Sequence, residues 1–416
     1  MKYRQICIWT SVLSCILFSF TVIHTRWGFF GHRRINRLAV FTLTPEMMPL
    51  FKANIEWLTD HAVDPDKRRY AIKDEAARHF IDLDRWELTP GYQLPSKYTD
   101  ALAKYGNLYT MSGGKMTPWL DTSRLMVVNK VKFLVPSIVK DQDTAKYVNL
   151  NRYKFFITTS IFAALRESDQ AIFKGRDINS FFKKPIADSS AEYRWIDSFS
   201  IHGILPYYLP AKYNQLVDAF RTKNYENILR QAAEIGHYIG DAHVPLHTTS
   251  NYNGQLTNQL GLHAFWESRI PELFADKDYD YLVGKAEYIR DIETFGWNVV
   301  RTSHSLVDSV LKIESRLAQT FPTDQQYCFE ERLGVTTRLQ CEAYARAYQS
   351  AMKGMVEKRM REAILAVGSV WYSAWVDAGQ PNLKKITGSP PLLKSKADEE
   401  IERAYKSNSI IGRPEN

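Results

Sequence analysis

The chain has 416 residues, of which 45% are hydrophobic and 24% are charged. This balance excludes a disordered or collagen-like chain and supplies enough apolar side chains for a large core. The formal net charge of +8 tolerates a phosphate-bearing substrate, but the sequence lacks the clustered basic stripe typical of a nucleic-acid-binding protein.

An apolar leader opens the sequence. Lys2 and Arg4 precede a stretch, 6–23, that contains no charged residue, which is typical of a signal peptide. A stretch of this length is also near the lower limit for a membrane-spanning helix, so an uncleaved anchor is the alternative. We predict a leader over 1–26 and an exported protein, periplasmic or extracellular, which is membrane-anchored if the leader is not removed.

The cysteines agree with export. Cys7 and Cys15 lie inside the leader, which leaves Cys328 and Cys341 in the rest of the chain. Two cysteines in an exported protein favour one disulfide, which would close a short loop and contribute about 3 kcal/mol. Two free thiols are the alternative.

Helical periodicity dominates after the leader. In 225–240, apolar residues recur at helical spacing on two faces, which indicates a helix in the middle of a bundle. The segments 151–167, 342–367 and 364–375 show similar patterns, whereas alternating runs of β-branched residues are scarce. We therefore predict an all-α fold, a multi-helix bundle, with a loop at 111–118.

Two histidines are each followed by an acidic residue four positions later: His237 by Asp241, and His263 by Glu267. On a helix, residues four apart share a face, so each pair can hold one metal ion. His247 lies between the two pairs, and imidazole together with carboxylate suits zinc. One such pair alone is more often a surface ion pair, but two pairs with an intervening histidine favour a metal site.

Glycines flank the first pair. Gly236 and Gly240 leave room for a second ligand-bearing helix to approach closely. Further candidate ligands lie upstream at His32, and at Asp64 together with His79. Sequence spacing does not by itself bring these residues to the same place.

These motifs together resemble a known family. Residues 236–247 (Gly-His-Tyr-Ile-Gly-Asp-Ala-His-Val-Pro-Leu-His) and 263–267 (His-Ala-Phe-Trp-Glu) resemble the core signature of the zinc-dependent phospholipase C and single-strand-specific nuclease superfamily. Residues 27–32 (Trp-Gly-Phe-Phe-Gly-His) resemble the start of its mature proteins, and 79–82 (His-Phe-Ile-Asp) resembles another of its short motifs. The matches follow the family's chain order, which makes the resemblance specific.

The resemblance implies a cluster of three zinc ions. The ligands that it assigns are Asp64, His79, His237 and a shared Asp241 for the first ion; His247, His263 and Glu267 for the second; and His32, Asp241 and the amino nitrogen and carbonyl oxygen of Trp27 for the third. Asp64 or Asp66 fits the first carboxylate position, and the family spacing favours Asp64, which would also orient the attacking water. If Trp27 is not the mature N-terminal residue, two ions are expected.

The resemblance also implies a domain organisation. We predict a monomeric hydrolase domain over 27–380 and a polar tail over 381–416. The separation between His79 and His237 exceeds that in the compact family members, so we interpret roughly 83–195 as an insertion.

The predicted function is zinc-dependent hydrolysis of phosphodiester bonds, in the manner of a phospholipase C that releases a phospholipid headgroup and associates with membranes. The alternative within the same superfamily is a single-strand-specific endonuclease or 3'-nucleotidase acting on single-stranded nucleic acid. An alternative of another class is a non-catalytic binding protein that zinc stabilises.

Overall fold

The structure, a computed structural model, describes residues 29–86, 93–140, 143–167, 170–180, 185, 187–332, 335–386, 396–407, 411 and 413. The predicted leader and Trp27 lie outside these residues. No helix in the described part of the chain is both long enough and apolar enough to cross a bilayer.

Helices make up most of the described structure. In chain order they are α1 (Phe29–Ala39), α2 (Met48–Ala53), α3 (Ile55–Asp60), α4 (Asp64–Arg68), α5 (Leu83–Trp86), α6 (Tyr98–Tyr105), α7 (Leu150–Phe156), α8 (Phe162–Glu167), α9 (Gly175–Asn179), α10 (Leu205–Arg221), α11 (Tyr225–Ala242), α12 (Leu262–Ala264), α13 (Ile270–Asp278), α14 (Ile292–His304), α15 (Val307–Thr320), α16 (Glu342–Ala351), α17 (Met355–Asp377) and α18 (Lys396–Ser407). Two π-helical turns, Ile157–Ile161 and Phe265–Arg269, join α7 to α8 and α12 to α13.

The prediction of an all-α fold is wrong, because the chain also forms antiparallel sheets and the fold is α+β. The strands are β1 (Asn107–Ser112), β2 (Lys115–Val128), β3 (Val131–Pro136), β4 (Val148–Asn149), β5 (Ala171–Lys174), β6 (Glu192–Ile196), β7 (Tyr327–Arg332) and β8 (Val335–Gln340). The first six form one sheet in the order β4-β3-β2-β1-β6-β5, and β7 pairs with β8.

Two tight turns explain the error. Gly113 and Gly114 connect β1 to β2 with φ of +54° and +77°, and Asn129 and Lys130 connect β2 to β3 with φ of +50° and +65°. Two-residue turns with positive φ at both positions match the twist of antiparallel strands, and glycine and asparagine adopt this conformation at low cost. The segment 111–118, predicted as a loop, is therefore the end of one hairpin.

The six-stranded sheet falls almost entirely within the segment interpreted as an insertion, 83–195. Its buried side chains, such as Trp119 and Tyr193, belong to the same apolar cluster as Phe199 and Phe220, which come from the helical part. The sheet therefore shares a core with the helices.

Helix α11 lies at the centre of the helical part, as the periodicity of 225–240 predicts. Its apolar positions from Ile228 to Ile239 are buried, and α1, α10, α14 and α17 pack around it. Trp371 of α17 donates a hydrogen bond from its indole Nε1 to the carbonyl oxygen of Ala232 over 2.9 Å. This surrounding layer keeps water away from most of the helix that carries two of the predicted ligands.

The predicted disulfide between Cys328 and Cys341 is present and closes the β7–β8 hairpin. Arg269, the last residue of the second π-helical turn, holds this hairpin. Its Nε donates to the carbonyl oxygen of Gln340 over 3.0 Å, and its guanidinium pairs with the Glu330 carboxylate. The hairpin is thus tied directly to the turn that contains Glu267.

Candidate metal centre

The centre begins with the close approach of α1 to α11. A Cβ atom on Gly236 would lie 2.0 Å from Asn36 Oδ1, and one on Gly240 would lie 2.7 Å from His32 Nδ1. Asn36 also donates from Nδ2 to the carbonyl oxygen of Ala233 over 2.9 Å, which links the two helices. The helix that approaches these glycines closely is α1, which carries the candidate ligand His32.

Eight side chains converge where these helices meet the segments that follow them. They form three groups, each with ligand atoms within 4.8 Å of one another: His32, His237 and Asp241; Asp66, His79 and His237; and His247, His263 and Glu267. His237 belongs to two of the groups, so the groups adjoin. The described part of the chain thus contains three groups of histidine and carboxylate side chains that can hold metal ions.

The group around His79 is built from three segments of the chain. His237 Nε2 lies 3.0 Å from His79 Nδ1 and 3.5 Å from Asp66 Oδ1. Asp241 Oδ2 lies 3.0 Å from His79 Nδ1 and 3.3 Å from His237 Nε2. Four ligand atoms from α4, α11 and the turn at His79 therefore face one point.

Asp66 faces this point and Asp64 does not. In α4 the two residues are two positions apart, so they point to nearly opposite sides of the helix and only one can face the histidines. The carboxylate of Asp64 instead binds His61 Nδ1 over 2.5 Å and Lys67 Nζ over 2.9 Å. The structure therefore places the residue preferred from sequence, Asp64, outside the three groups and its alternative, Asp66, inside them.

The group around Glu267 depends on the second π-helical turn. His263 Nε2 lies 2.7 Å from Glu267 Oε2, and His247 Nε2 lies 3.4 Å from the same oxygen. A π-helical turn widens the helix locally and is common at functional sites. Here it spans Phe265–Arg269, so that Glu267 turns toward His247 while it still faces His263.

Asp241 joins the two ends of the centre. Its Oδ2 faces His79 and His237, whereas its Oδ1 lies 3.2 Å from His32 Nε2 and 3.8 Å from His247 Nε2. His32 Nε2 also lies 3.3 Å from Glu267 Oε1. One carboxylate therefore contacts all three groups, as a bridging ligand would. Trp27, the remaining predicted ligand, lies outside the described residues.

Backbone carbonyls define the orientation of two of the rings. His237 Nδ1 lies 2.9 Å from the carbonyl oxygen of Ala62, and His263 Nδ1 lies 3.1 Å from that of Tyr252. A carbonyl oxygen only accepts, so each Nδ1 carries a proton, and each ring turns its Nε2 toward the carboxylates. Buried carboxylates need positive charge beside them, which protonated imidazoles or bound cations supply.

The buried carboxylates of the centre have lowered pKa values. Burial raises the pKa of Asp241, but His237 and His247 outweigh it, so that pKa lies well below the ordinary value. Burial likewise opposes ionisation of Glu267, and its hydrogen bonds to His247 and His263 again hold the pKa well below the ordinary value. Both carboxylates are thus ionised throughout the neutral range. Burial lowers the pKa of His32, yet Asp241 and Glu267 raise it well above the ordinary value.

A buried carboxylate behind His79 was missed by the sequence analysis. Glu75 Oε1 lies 3.7 Å from His79 Nε2, on the side of the ring away from the other ligands. Glu75 is held by Arg68, Arg78 and the hydroxyl of Tyr238. Outer carboxylates of this kind orient a metal-binding histidine and raise its basicity. The spacing of Glu75 and His79, four residues, is the signal that could have found it.

A comparison with known protein families, with curated proteins and with solved structures finds no match to this chain. The family resemblance therefore stays a prediction.

The predicted tail returns to the edge of the centre. In α18, Tyr405 is buried and packs on Tyr70 at 5.1 Å between ring centroids. Further along, Arg413 lies over the rings of Phe80 and Tyr252, with its Cζ 3.9 Å and 3.6 Å from their centroids. Sequence periodicity contains no signal for this contact, because a single arginine in a polar segment resembles any solvated side chain.

Proposed function

We propose that this protein is a zinc-dependent phosphoric diester hydrolase that acts on a phospholipid headgroup. The observation that carries the proposal is the convergence of eight ligand side chains into three adjoining groups, with one carboxylate, Asp241, contacting all three. A structural zinc site needs only one closed group of four ligands, whereas adjoining metal ions suit the cleavage of phosphodiesters.

Part of the ligand set is spaced as a zinc ion requires. Two ligands about 2.0–2.2 Å from one ion at the tetrahedral angle lie roughly 3.3–3.6 Å apart. His237 lies 3.5 Å from Asp66, and His247 lies 3.4 Å from Glu267, which match this spacing. The separations of His79 from His237, 3.0 Å, and of His263 from Glu267, 2.7 Å, are shorter and correspond to hydrogen bonds. Imidazole with carboxylate and without cysteine is a donor set that zinc accepts readily.

When bound, zinc ions in such a cluster lower the pKa of a coordinated water and neutralise charge on phosphoryl oxygens. The protein's own contribution is to fix the ligands and open one side of the cluster. The Asp66 side chain is 18% exposed, whereas those of His79 and His237 are fully buried. Asp66 therefore lies at the edge that a substrate reaches, where its carboxylate can orient the attacking water. Arg69 pairs with Asp66 at 3.7 Å and holds this carboxylate at the edge.

Exposed apolar side chains lie on segments that also carry residues of the centre. Leu256 and Leu260 are 70% and 71% exposed on the loop that carries Tyr252, whose carbonyl orients His263. Ile201, which is 73% exposed, precedes His202, and His202 Nδ1 lies 3.5 Å from Asp82. In the proposed function these side chains contact the apolar part of the phospholipid.

The test is hydrolysis by the purified protein loaded with zinc. We expect cleavage of p-nitrophenylphosphorylcholine and of phosphatidylcholine vesicles, with loss of both activities after chelation and recovery when zinc is added. A variant with Glu267→Gln should lose most of the activity, whereas one with Glu287→Gln, on the surface segment before α14, should keep it. Cleavage of single-stranded DNA without cleavage of the choline substrates would replace the phospholipase by a nuclease. Zinc-dependent stability without hydrolysis of either would leave a binding protein.

A further inference from the structure

Arg413 lies beside the candidate metal centre but has no role in the proposed hydrolysis. This arginine comes from the predicted tail, more than 300 positions after the residues it contacts around Asp82. Its guanidinium lies between the rings of Phe80 and Tyr252, at 3.9 Å and 3.6 Å from their centroids. We call the space between Phe80, Tyr252 and Asp82 the aromatic pocket.

Polar contacts complete the arrangement. Arg413 Nη1 donates to Asp82 Oδ1 over 2.6 Å, and Nη2 donates to the carbonyl oxygen of Thr249 over 3.2 Å. The Arg413 side chain is 13% exposed and that of Asp82 is 8% exposed. A cation between two aromatic faces with a largely buried carboxylate at its end combines cation–π attraction with a charge-assisted hydrogen bond.

The backbone of the tail is held as well. Arg69 donates from Nη2 to the carbonyl oxygen of Arg413 over 2.7 Å, and the amide of Ile411 donates to the carbonyl oxygen of Arg69 over 3.0 Å. The same Arg69 pairs with Asp66, a candidate ligand, at 3.7 Å. The tail therefore crosses the edge of the centre at which Asp66 is exposed.

The other residues that Arg413 contacts also adjoin the centre. Asp82 follows His79 by three residues, and Thr249 follows His247 by two. Tyr252 orients His263 through its carbonyl. The aromatic pocket is thus built from the same segments as the metal ligands.

We propose that the tail is a built-in competitor: Arg413 occupies the aromatic pocket, and a substrate with a positively charged group must displace it. The inference rests on the proposed function, since it assigns this pocket to the cationic part of a phosphodiester. Aromatic faces with a carboxylate are the chemistry that recognises a quaternary ammonium or guanidinium group. The tail is absent from the pocket once the substrate is bound. It therefore weakens substrate binding and leaves the enzyme–substrate complex unchanged.

Kinetics distinguish this role from a structural one. If the tail is bound in the pocket in about ten molecules for each one in which the pocket is free, it raises KM about tenfold and does not alter kcat. We expect Arg413→Ala, and a chain ending at Ser407, to lower KM for p-nitrophenylphosphorylcholine about tenfold at unchanged kcat. Lys406→Ala, which removes an exposed cation from the same tail, should behave like the unaltered protein. An unchanged or raised KM in Arg413→Ala would overturn the proposal.

A binding measurement does not depend on hydrolysis. A synthetic peptide of residues 408–416, titrated calorimetrically into the protein that ends at Ser407, should bind, and the peptide with Arg413→Ala should not. Asp82→Asn in the protein should weaken peptide binding. If this pattern of binding is observed but no phosphodiester is hydrolysed, the proposed hydrolase function is wrong. The proposal that the tail occupies the pocket is then still supported. Absence of peptide binding together with absence of hydrolysis would overturn both.

Discussion

His237 Nε2 and His79 Nδ1 face each other at 3.0 Å in the buried centre, and each ring is held from its far side. The carbonyl oxygen of Ala62 accepts a hydrogen bond from His237 Nδ1, and the carboxylate of Glu75 lies 3.7 Å from His79 Nε2. At this distance the two ring nitrogens share a hydrogen bond, and both are placed where they can ligate one metal ion.

The choice between the two aspartates of α4 can be tested by metal content. Asp66→Asn removes a charged ligand that faces His79 and His237, so we expect zinc affinity to fall at least tenfold. Asp64→Asn alters a carboxylate that binds His61 and Lys67, and zinc should be retained. The measurement is zinc per chain by elemental analysis after dialysis against buffered zinc. Loss of zinc in Asp64→Asn alone would restore the residue preferred from sequence.

The contact between α1 and α11 predicts a steric effect of a single methyl group. In Gly240→Ala the new Cβ would lie 2.7 Å from His32 Nδ1, so the ring must move away from Asp241 and Glu267. Overpacking of this kind costs about 1–3 kcal/mol. We expect a lower melting temperature and the loss of bound zinc from the site of His32.

Gly31→Ala is the matched control for this substitution. It lies on α1, and its Cβ would meet only the carbonyl oxygen of Glu267 at 3.7 Å, an ordinary contact. Its melting temperature and zinc content should equal or exceed those of the unaltered protein. Equal behaviour of Gly31→Ala and Gly240→Ala would contradict the close approach at His32.

His243 predicts a dependence of stability on pH. Burial and the neighbouring Arg359 lower its pKa to about 3, while Nδ1 donates to the carbonyl oxygen of Ile239. The unfolded chain takes up a proton near pH 6.5 and the folded chain does not, so this histidine costs stability as the pH falls below 6.5. The loss is about 1.4 kcal/mol per pH unit, or about 2 kcal/mol between pH 6.5 and pH 5.

The measurement is urea unfolding of the metal-free protein across this pH range. His243→Asn keeps a donor for Ile239 but does not titrate, so its free energy of unfolding should fall less steeply toward pH 5. The difference between the two slopes isolates His243, because the other titrating groups are common to both proteins. Parallel curves would mean that the pKa of His243 is the same in the folded and unfolded chains.

We expect the disulfide to stabilise the fold by closing a loop of the unfolded chain. Cys328 and Cys341 are separated by 13 positions, for which loop closure contributes about 3 kcal/mol. We expect a chain with both residues replaced by serine to lose about this much free energy of unfolding. Adding reductant to the unaltered protein should give the same loss, and adding it to the double variant should change nothing. A double variant as stable as the oxidised protein would show that the disulfide does not stabilise this fold.

The sequence by itself determined the local features of this protein. Periodicity over 225–240 predicted the central helix, and the four-residue spacings of His237 with Asp241 and of His263 with Glu267 predicted side chains that share a face. Two cysteines outside the leader predicted the disulfide. These features depend on residues that are close together along the chain, so the spacing of residue types in the sequence predicts them.

Only the tertiary structure decided the rest, because it depends on which distant segments meet. The orientation of α4 against α11 selects Asp66 over Asp64. The pairing of β1 with β6, which lie far apart in sequence, completes a sheet that the local patterns did not indicate. The contact of Arg413 with Phe80 likewise joins residues more than 300 positions apart. Such contacts depend on the packing of the whole chain. The residue types that make them also occur at many positions without such contacts, so the sequence does not single them out.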